Sequence, residues 1–321
     1  MYDIRIVTDL DECQEIWKRT MPQEIISDLW GFRACFQRSF HRPACFLVAE
    51  DARGLAGLLP LSWVEEARCY GCFPGETWQG KTWLEQNRIV GGGEEILSDL
   101  LDRCPGRYHL RYLLPLKSPE QSQCVVDEVG YLFRPPDYGY DLENYFQEFS
   151  HKSAKRLKRE LASLETSEIR YRYDDVSDFE HLMQLNLRSF GASSYFYDHR
   201  FRESFRTLMH YLDDNGWLQM TAVIVSGEVA AVDMGCVYRG VYALLAGGTN
   251  SNYPGIAKLI NLHHMRRGCQ DRLRLIDFLC GDFSWKRLFH LTPRPLYLLS
   301  NYSTEIHPSV DRELRGAGHV G

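Results

Sequence analysis

Between Leu218 and Lys286 three short β-rich runs, punctuated by glycine turns, lead into a glycine-opened helix and a returning strand. The first run, Leu218–Val225, ends at Ser226-Gly227, and the second, Glu228–Tyr238, breaks at Arg239-Gly240. The third, Val241–Ala246, runs into Gly247-Gly248-Thr249-Asn250. Such spacing is the signature of an antiparallel meander. Apolar residues at Ile256, Leu259, Ile260, Leu262 and Met265 then form a helical stripe, with Gly268 placed to end it. Leu273–Leu279 reads as the next strand, and a lysine, Lys286, follows it. A helix N-terminus emerging from a sheet presents unpaired N–H groups and the positive end of a dipole, which suits a phosphate.

Pro254 fits the first turn of that helix, and Gly255 lets a pyrophosphate approach the backbone with no side chain in the way. Here the chain resembles the GNAT acyltransferase superfamily, whose phosphate loop reads Gln/Arg-x-x-Gly-x-Gly/Ala. Asn252-x-x-Gly255-x-Ala257 matches all but the first position. Downstream, Asp277–Lys286, with Gly281 followed by the pair Trp285-Lys286, resembles the strand-end motif of the BioF-like, cellulose-biosynthesis-associated acyltransferases related to the Fem peptidyltransferases. The basic run Ser150–Leu161 is similar to their lead-in helix, and Pro60-Leu61 after Gly54–Leu59 to a strand of their first half.

The resemblance implies an α/β (α+β) fold of two tandem GNAT-like domains, each a mixed, mostly antiparallel sheet flanked by helices. The pattern of elements repeats accordingly. The strand Ile4–Val7, helices Asp9–Met21 and Leu29–Phe40, strands Cys45–Ala49 and Leu55–Trp63, helix Glu94–Arg103 and strand Tyr108–Leu114 form a first half. The strand Ile169–Tyr173, helix Val176–Ser189 and the meander form a second. The join falls near Pro135-Pro136 to Glu143, giving an N-terminal domain over 1–142 and a donor-binding, catalytic domain over 143–321. Gly91-Gly92-Gly93 lacks the spaced phosphate pattern and reads as a turn, and the residues from Pro308 onward read as a frayed tail.

Acyl transfer from a thioester needs donors for a growing oxyanion, a route for the nucleophile's proton and a home for the thiolate. The resemblance implies acetyl-CoA or another acyl-CoA as co-substrate, held by Leu245, Ala246 and Gly247 on the strand. Asn252, Gly255, Ile256, Ala257 and Lys258 would hold it at the helix start, and the N–H groups of Leu244–Gly247 would receive the oxyanion. Asp233, Asp277 and Asp282 are the carboxylates placed to act as bases, and Lys286 the cation placed to stabilise oxyanion, thiolate or phosphate. Each has a plainer reading. Asp233 can be a solvated strand residue, Asp277 a buried carboxylate with a partner, Asp282 a helix cap and Lys286 an exposed helix residue. No tyrosine follows the motif before Tyr297 to serve as thiolate acid, so Lys286, Ser284 or water takes that role.

An aromatic and polar cluster, with Trp83, Glu85 and Asn87 within Thr82–Arg88, and the loop Ser193–Tyr197 with Tyr195, are candidates for the acceptor groove, although core aromatics have the same pattern. The resemblance implies a small-molecule or saccharide amine acceptor, in an amino sugar, amino acid or polysaccharide precursor. The Fem relationship implies an alternative, an aminoacyl-tRNA donor, with Lys152, Lys155, Arg156, Lys158 and Arg159 along the RNA; a non-catalytic binding protein is a third reading. The net charge of −6 argues against a general nucleic-acid binder, and no apolar run reaches membrane-span length. Ten scattered cysteines point to a reducing cytoplasm. The single pair Cys69-x-x-Cys72 lacks a second half, and the adjacent His263 and His264 face different ways on a helix, so no metal is assigned.

Overall fold

The apolar run Cys45–Ala49 is buried on both faces in the computed structural model, and one of two units is assembled around it. The structure describes residues 2–91, 94–116, 124–165, 168–281, 286 and 288–302. The units are Met1–Val129 with Pro295–Gly321, and Gly130–Arg294. The first contains β1 (Tyr2–Val7), α1 (Leu10–Thr20), α2 (Trp30–Phe40), β2 (Ala44–Asp51), β3 (Gly54–Val64), β4 (Cys69–Cys72), β5 (Val90–Gly91), α3 (Glu94–Asp102) and β6 (His109–Leu113). Strands β1, β2, β3 and β4 pair antiparallel in that order, and β5 pairs with β3.

The period of two along β2 explains this layering. Leu47 and Ala49 pack with Leu97, Leu100 and Leu101 of α3. Phe46 and Val48 point the other way, onto Ile16 and Trp17 of α1. Asp9 caps α1 by accepting from the Glu12 N–H at 2.9 Å. Each fully buried aliphatic or aromatic side chain here stabilises the unit by roughly 1.5–3 kcal/mol.

β7 (Val125–Phe133) enters the second unit at Gly130. Then come α4 (Leu142–Phe146), α5 (His151–Glu165), β8 (Ile169–Tyr173), α6 (Asp178–Phe190), α7 (His199–Asp214), β9 (Leu218–Val225), β10 (Glu228–Tyr238), β11 (Val241–Thr249), α8 (Ile256–Gln270) and β12 (Leu275–Asp277). β13 (Thr292–Ser300) leaves this unit after Arg294. The sheet order is β7-β12-β11-β10-β9-β8, antiparallel throughout except for the parallel pair β11 and β12. Both meander turns, Ser226-Gly227 and Arg239-Gly240, carry positive φ at their two central residues, which matches the twist of a tight hairpin. Ile256, Leu259 and Ile260 of α8 seal onto Val223, Val225 and Ala231.

Three sequence expectations shift. Gly268 does not end α8, which continues to Gln270. A Cβ at Gly268 would lie 2.5 Å from Ile276 Cδ1, so the glycine is there to let helix and strand approach closely. The expected strand Leu273–Leu279 keeps ladder pairing only over Leu275–Asp277. Residues 135–143, read as a joining segment, form a 3₁₀ turn over Pro135–Tyr138 and the start of α4, within the second unit. The tail from Pro308 lies outside the described residues. Among the described residues no helix is long and apolar enough to cross a membrane.

Candidate active site

In the second unit β11 and β12 part company. They pair only over Val241–Ala243 and Leu275–Asp277, and beyond these β11 continues to Thr249 with only β10 as a ladder partner among the described residues. The two strands therefore form a V, and alternate N–H groups of residues 244–249 face its opening. Opposite β10 the register jumps from Met234↔Ala246 to Gly235↔Leu244, so Leu245 is the extra residue of a β-bulge. A bulge re-aims the local backbone, here at the segment expected to receive an oxyanion. Leu245, Ala246 and Gly247 thus line one arm of the V.

From the end of β11 the chain crosses six residues to α8, so the helix N-terminus lies at the open end of the V. The Asn250 Oδ1 accepts from the Asn252 N–H (3.0 Å), and the Tyr253 hydroxyl donates to Glu228 (2.9 Å), which fixes the turn. Gly255 is the N-cap residue with φ 90°, a conformation that L side chains rarely adopt. Ile256, Ala257 and Lys258 form the first turn, with Ile256 buried and Lys258 half-buried.

Two of the expected carboxylates are buried and partnered. Asp233 Oδ2 is 2.9 Å from His264 Nε2, and the Tyr242 hydroxyl is 3.4 Å from the same nitrogen. All three residues are 4% exposed. Burial and the Asp233 charge push the Tyr242 hydroxyl well above its usual range. Asp233 also presses on the strand opposite, because a Cβ on Gly247 would overlap its Oδ1. Asp277 is 3% exposed, at 2.6 Å from Arg294 Nη1 and 3.2 Å from Nη2, and accepts from the Leu279 N–H. The solvated reading of Asp233 therefore does not hold, since a carboxylate this deep needs its partner.

Lys286 is 2% exposed, not an exposed helix residue. Its Nζ donates to the carbonyls of Phe278 (2.9 Å), Leu279 (2.8 Å) and Cys280 (3.0 Å), and lies 5.4 Å from the Tyr131 ring centroid. A buried ammonium there gathers the backbone that leaves β12 and so fixes the second arm of the V. Asp282 and Ser284 lie outside the described residues.

Sequence reading missed His264, Arg294 and Asn186, whose amide donates to the Gly247 carbonyl at 2.7 Å. His264 had a signal, because it follows Ile256 and Ile260 at four-residue steps on the buried stripe of α8. Of the acceptor candidates, Trp83, Glu85 and Asn87 lie in the first unit and Tyr195 in the second. Trp83 is stacked on Phe36 at 5.3 Å, and Asn87 bonds Arg33, the Leu84 carbonyl and the Arg111 carbonyl within the first unit. Glu85 is half-buried in that unit, and Tyr195 packs edge-on to Phe201 at 4.9 Å in the second. Cys69 and Cys72 are free thiols on β4.

Residues 151–287, which span the V and α8, match the family model described as an acetyltransferase (GNAT) domain. That segment, less than half of the chain, is similar to a GNAT acetyltransferase domain. Solved structures agree with this GNAT fold. FemX is similar at TM-score 0.58 and 8% identity, with 92% of this chain and 96% of that one covered. L-PGS from Bacillus licheniformis is similar at 0.56 and 10%, covering 92% and 93%. A tandem GNAT protein from the clavulanic acid biosynthesis pathway is similar at 0.50 and 10%, covering 95% and 100%. The tandem, Fem-like GNAT fold expected from the sequence is therefore what the chain has. No curated protein matches the sequence.

Proposed function

We propose that the second unit binds an acyl-CoA, with the pyrophosphate at the N-terminus of α8 and the pantetheine along the open edge of β11, and passes the acyl group to an amine. The observation that carries this reading is the parting of β11 from β12 at Ala243 and Asp277, with a bulge at Leu245, directly before a glycine-capped helix. An extended thioester arm can continue the ladder that β12 abandons, bringing its carbonyl to the N–H groups near Leu245. The neutral amine attacks that carbonyl, a C–N bond forms, the C–S bond breaks, and the thiolate takes up a proton as the amine loses one.

In this reading Asp233 with His264, Asp277 with Arg294, and Lys286 act as positioning residues for the two arms. The amine's proton leaves through water at the open edge or through Asp282. The acceptor is an amine of an amino sugar, amino acid or polysaccharide precursor. Ten free thiols fit work in a reducing cytoplasm.

A second reading rests on α5, where Lys152, Lys155, Arg156 and Arg159 are exposed at helical spacing, as a row tracking RNA phosphates would be. The donor would then be an aminoacyl-tRNA, and its binding would weaken steeply with salt.

Titration with acetyl-CoA and longer acyl-CoAs, followed by melting temperature, separates the two. A ligand that binds only the folded state adds about 2.7 kcal/mol of stability at a hundredfold excess over its Kd. The acyl-CoA reading requires a shift in the wild type that is lost in Gly255→Glu. Gly255→Ala, which carries the same backbone strain without the charge, should keep most of it. The absence of a shift with any acyl-CoA would overturn this reading in favour of charged tRNA.

A further inference from the structure

A cavity of about 190 Å³ lies wholly within the first unit, lined in part by Asn87, one of the expected acceptor residues. Its walls include Glu76, Asn87, His109 and Arg111, with Val64 and Leu84 as apolar surface. This is room for a molecule the size of an amino acid.

Glu76 is the anomaly. It is 1% exposed, yet among the described residues it forms no ion pair. Its Oε1 accepts from the Thr82 hydroxyl, from Trp83 N–H (3.1 Å) and from Leu84 N–H (2.8 Å), and no described side chain donates to Oε2. Burial pulls the carboxyl above its ordinary range. The buried Arg33 guanidinium lowers the cost of this carboxylate through space but forms no ion pair with it, so burial still dominates and a cationic group in the cavity would relieve the remaining cost.

Arg111 supplies the opposite pole. Its Nε and Nη2 are engaged by Asp127 (3.0 and 2.7 Å), whereas Nη1 has no acceptor among the described residues. His109 Nδ1 is buried and unpartnered, and burial, then the Arg111 charge, draws the imidazole below its ordinary range. Glu76 and Arg111 line the same cavity, and with Asp127 on the Arg111 guanidinium they leave it with both signs of charge and no strong net charge. A single small anion or cation satisfies only one pole.

We infer that this cavity binds a small zwitterion of the α-amino-acid class, with its ammonium at Glu76 and its carboxylate at Arg111 and His109. The inference stands on the first unit alone and does not depend on the acyl donor.

Calorimetric titration of the full chain with alanine, serine and lysine tests it, beside propionate and ethylamine, which each lack one charged group of alanine. At least one amino acid should bind, with propionate and ethylamine about ten- to a hundredfold weaker than alanine or undetected. Glu76→Gln keeps an acceptor for Thr82 and the two N–H groups but loses the charge, and should weaken binding by a similar factor. Ala67→Trp at the exposed rim should abolish binding without touching the buried network. Silence with all three amino acids overturns the inference, as does ethylamine binding as tightly as alanine. Unchanged binding in both variants overturns the location. The Gly255→Glu protein should bind the amino acid normally, so failure of the acyl-CoA reading leaves this result separate.

Discussion

Replacing Gly247 with alanine should be costly only while Asp233 is present. The added Cβ would overlap Asp233 Oδ1 and lie 3.4 Å from its Cγ. Gly247 has no positive φ, so the backbone itself accepts alanine, and strand propensity alone would favour the change by roughly 0.5–1 kcal/mol. To clear the overlap, either Asp233 swings off His264, losing a charge-assisted bond of about 1.5–3 kcal/mol, or β11 shifts at an overpacking cost of about 1–3 kcal/mol. The cheaper route sets a net loss of about 1–2 kcal/mol. In an Asp233→Ala background neither route is needed, and Gly247→Ala should be neutral or slightly stabilising. The double-mutant coupling is therefore about 2 kcal/mol, readable as the non-additive change in urea midpoint at constant slope. Equal effects of Gly247→Ala in both backgrounds would refute the claim that the buried carboxylate is wedged against the strand below the bulge.

Lys286→Met should lower stability by about 3 kcal/mol or more in thermal melts, because three buried carbonyls lose their donor; a change under about 0.5 kcal/mol would return Lys286 to the surface. His263, stacked on Tyr171 at 4.0 Å, has its pKa drawn down from 6.5 to about 4, chiefly by burial and then by the charges of His264, Arg267 and Arg266. The unfolded chain then binds the proton more readily, so stability should fall as pH drops from about 6.5 towards 4 and level off below. The full shift corresponds to about 3 kcal/mol, and solvent screening of a half-buried ring reduces it to roughly 1–2 kcal/mol. His263→Gln should flatten that part of the pH–stability curve relative to wild type; identical curves would contradict the assignment. Salt titration of RNA binding should show no steep dependence if α5 is only a solvated face, and a steep one if it tracks phosphates.

The first two strands of the meander were legible to the residue, because their turns are made by Ser226-Gly227 and Arg239-Gly240, whereas β11 runs past its expected end at Ala246 to Thr249. Gly255 was picked out for leaving the backbone bare to a pyrophosphate, and the structure adds a second need for glycine there, φ 90°. The helix α7 escaped notice although Phe201, Phe205, Leu208 and Leu212 carry its period, and β13 was hidden by two prolines, Pro293 and Pro295. What no local pattern announces is long-range pairing. Asp233 meets His264 across 31 positions and Asp277 meets Arg294 across 17, and these partners decide that both carboxylates are buried anchors and not solvated groups. Gly268 misled because a glycine late in a helical stripe reads as a stop, while here its missing side chain serves the contact with Ile276.

The central claim is that the V between β11 and β12 and the N-terminus of α8 together receive the thioester donor. Hydrogen exchange with and without acetyl-CoA tests it most directly. The account predicts added protection confined to amides of residues 244–247 and 255–258, with the Gly255→Glu protein showing none. Protection elsewhere in the chain, or none in the wild type at saturating acetyl-CoA, would contradict it.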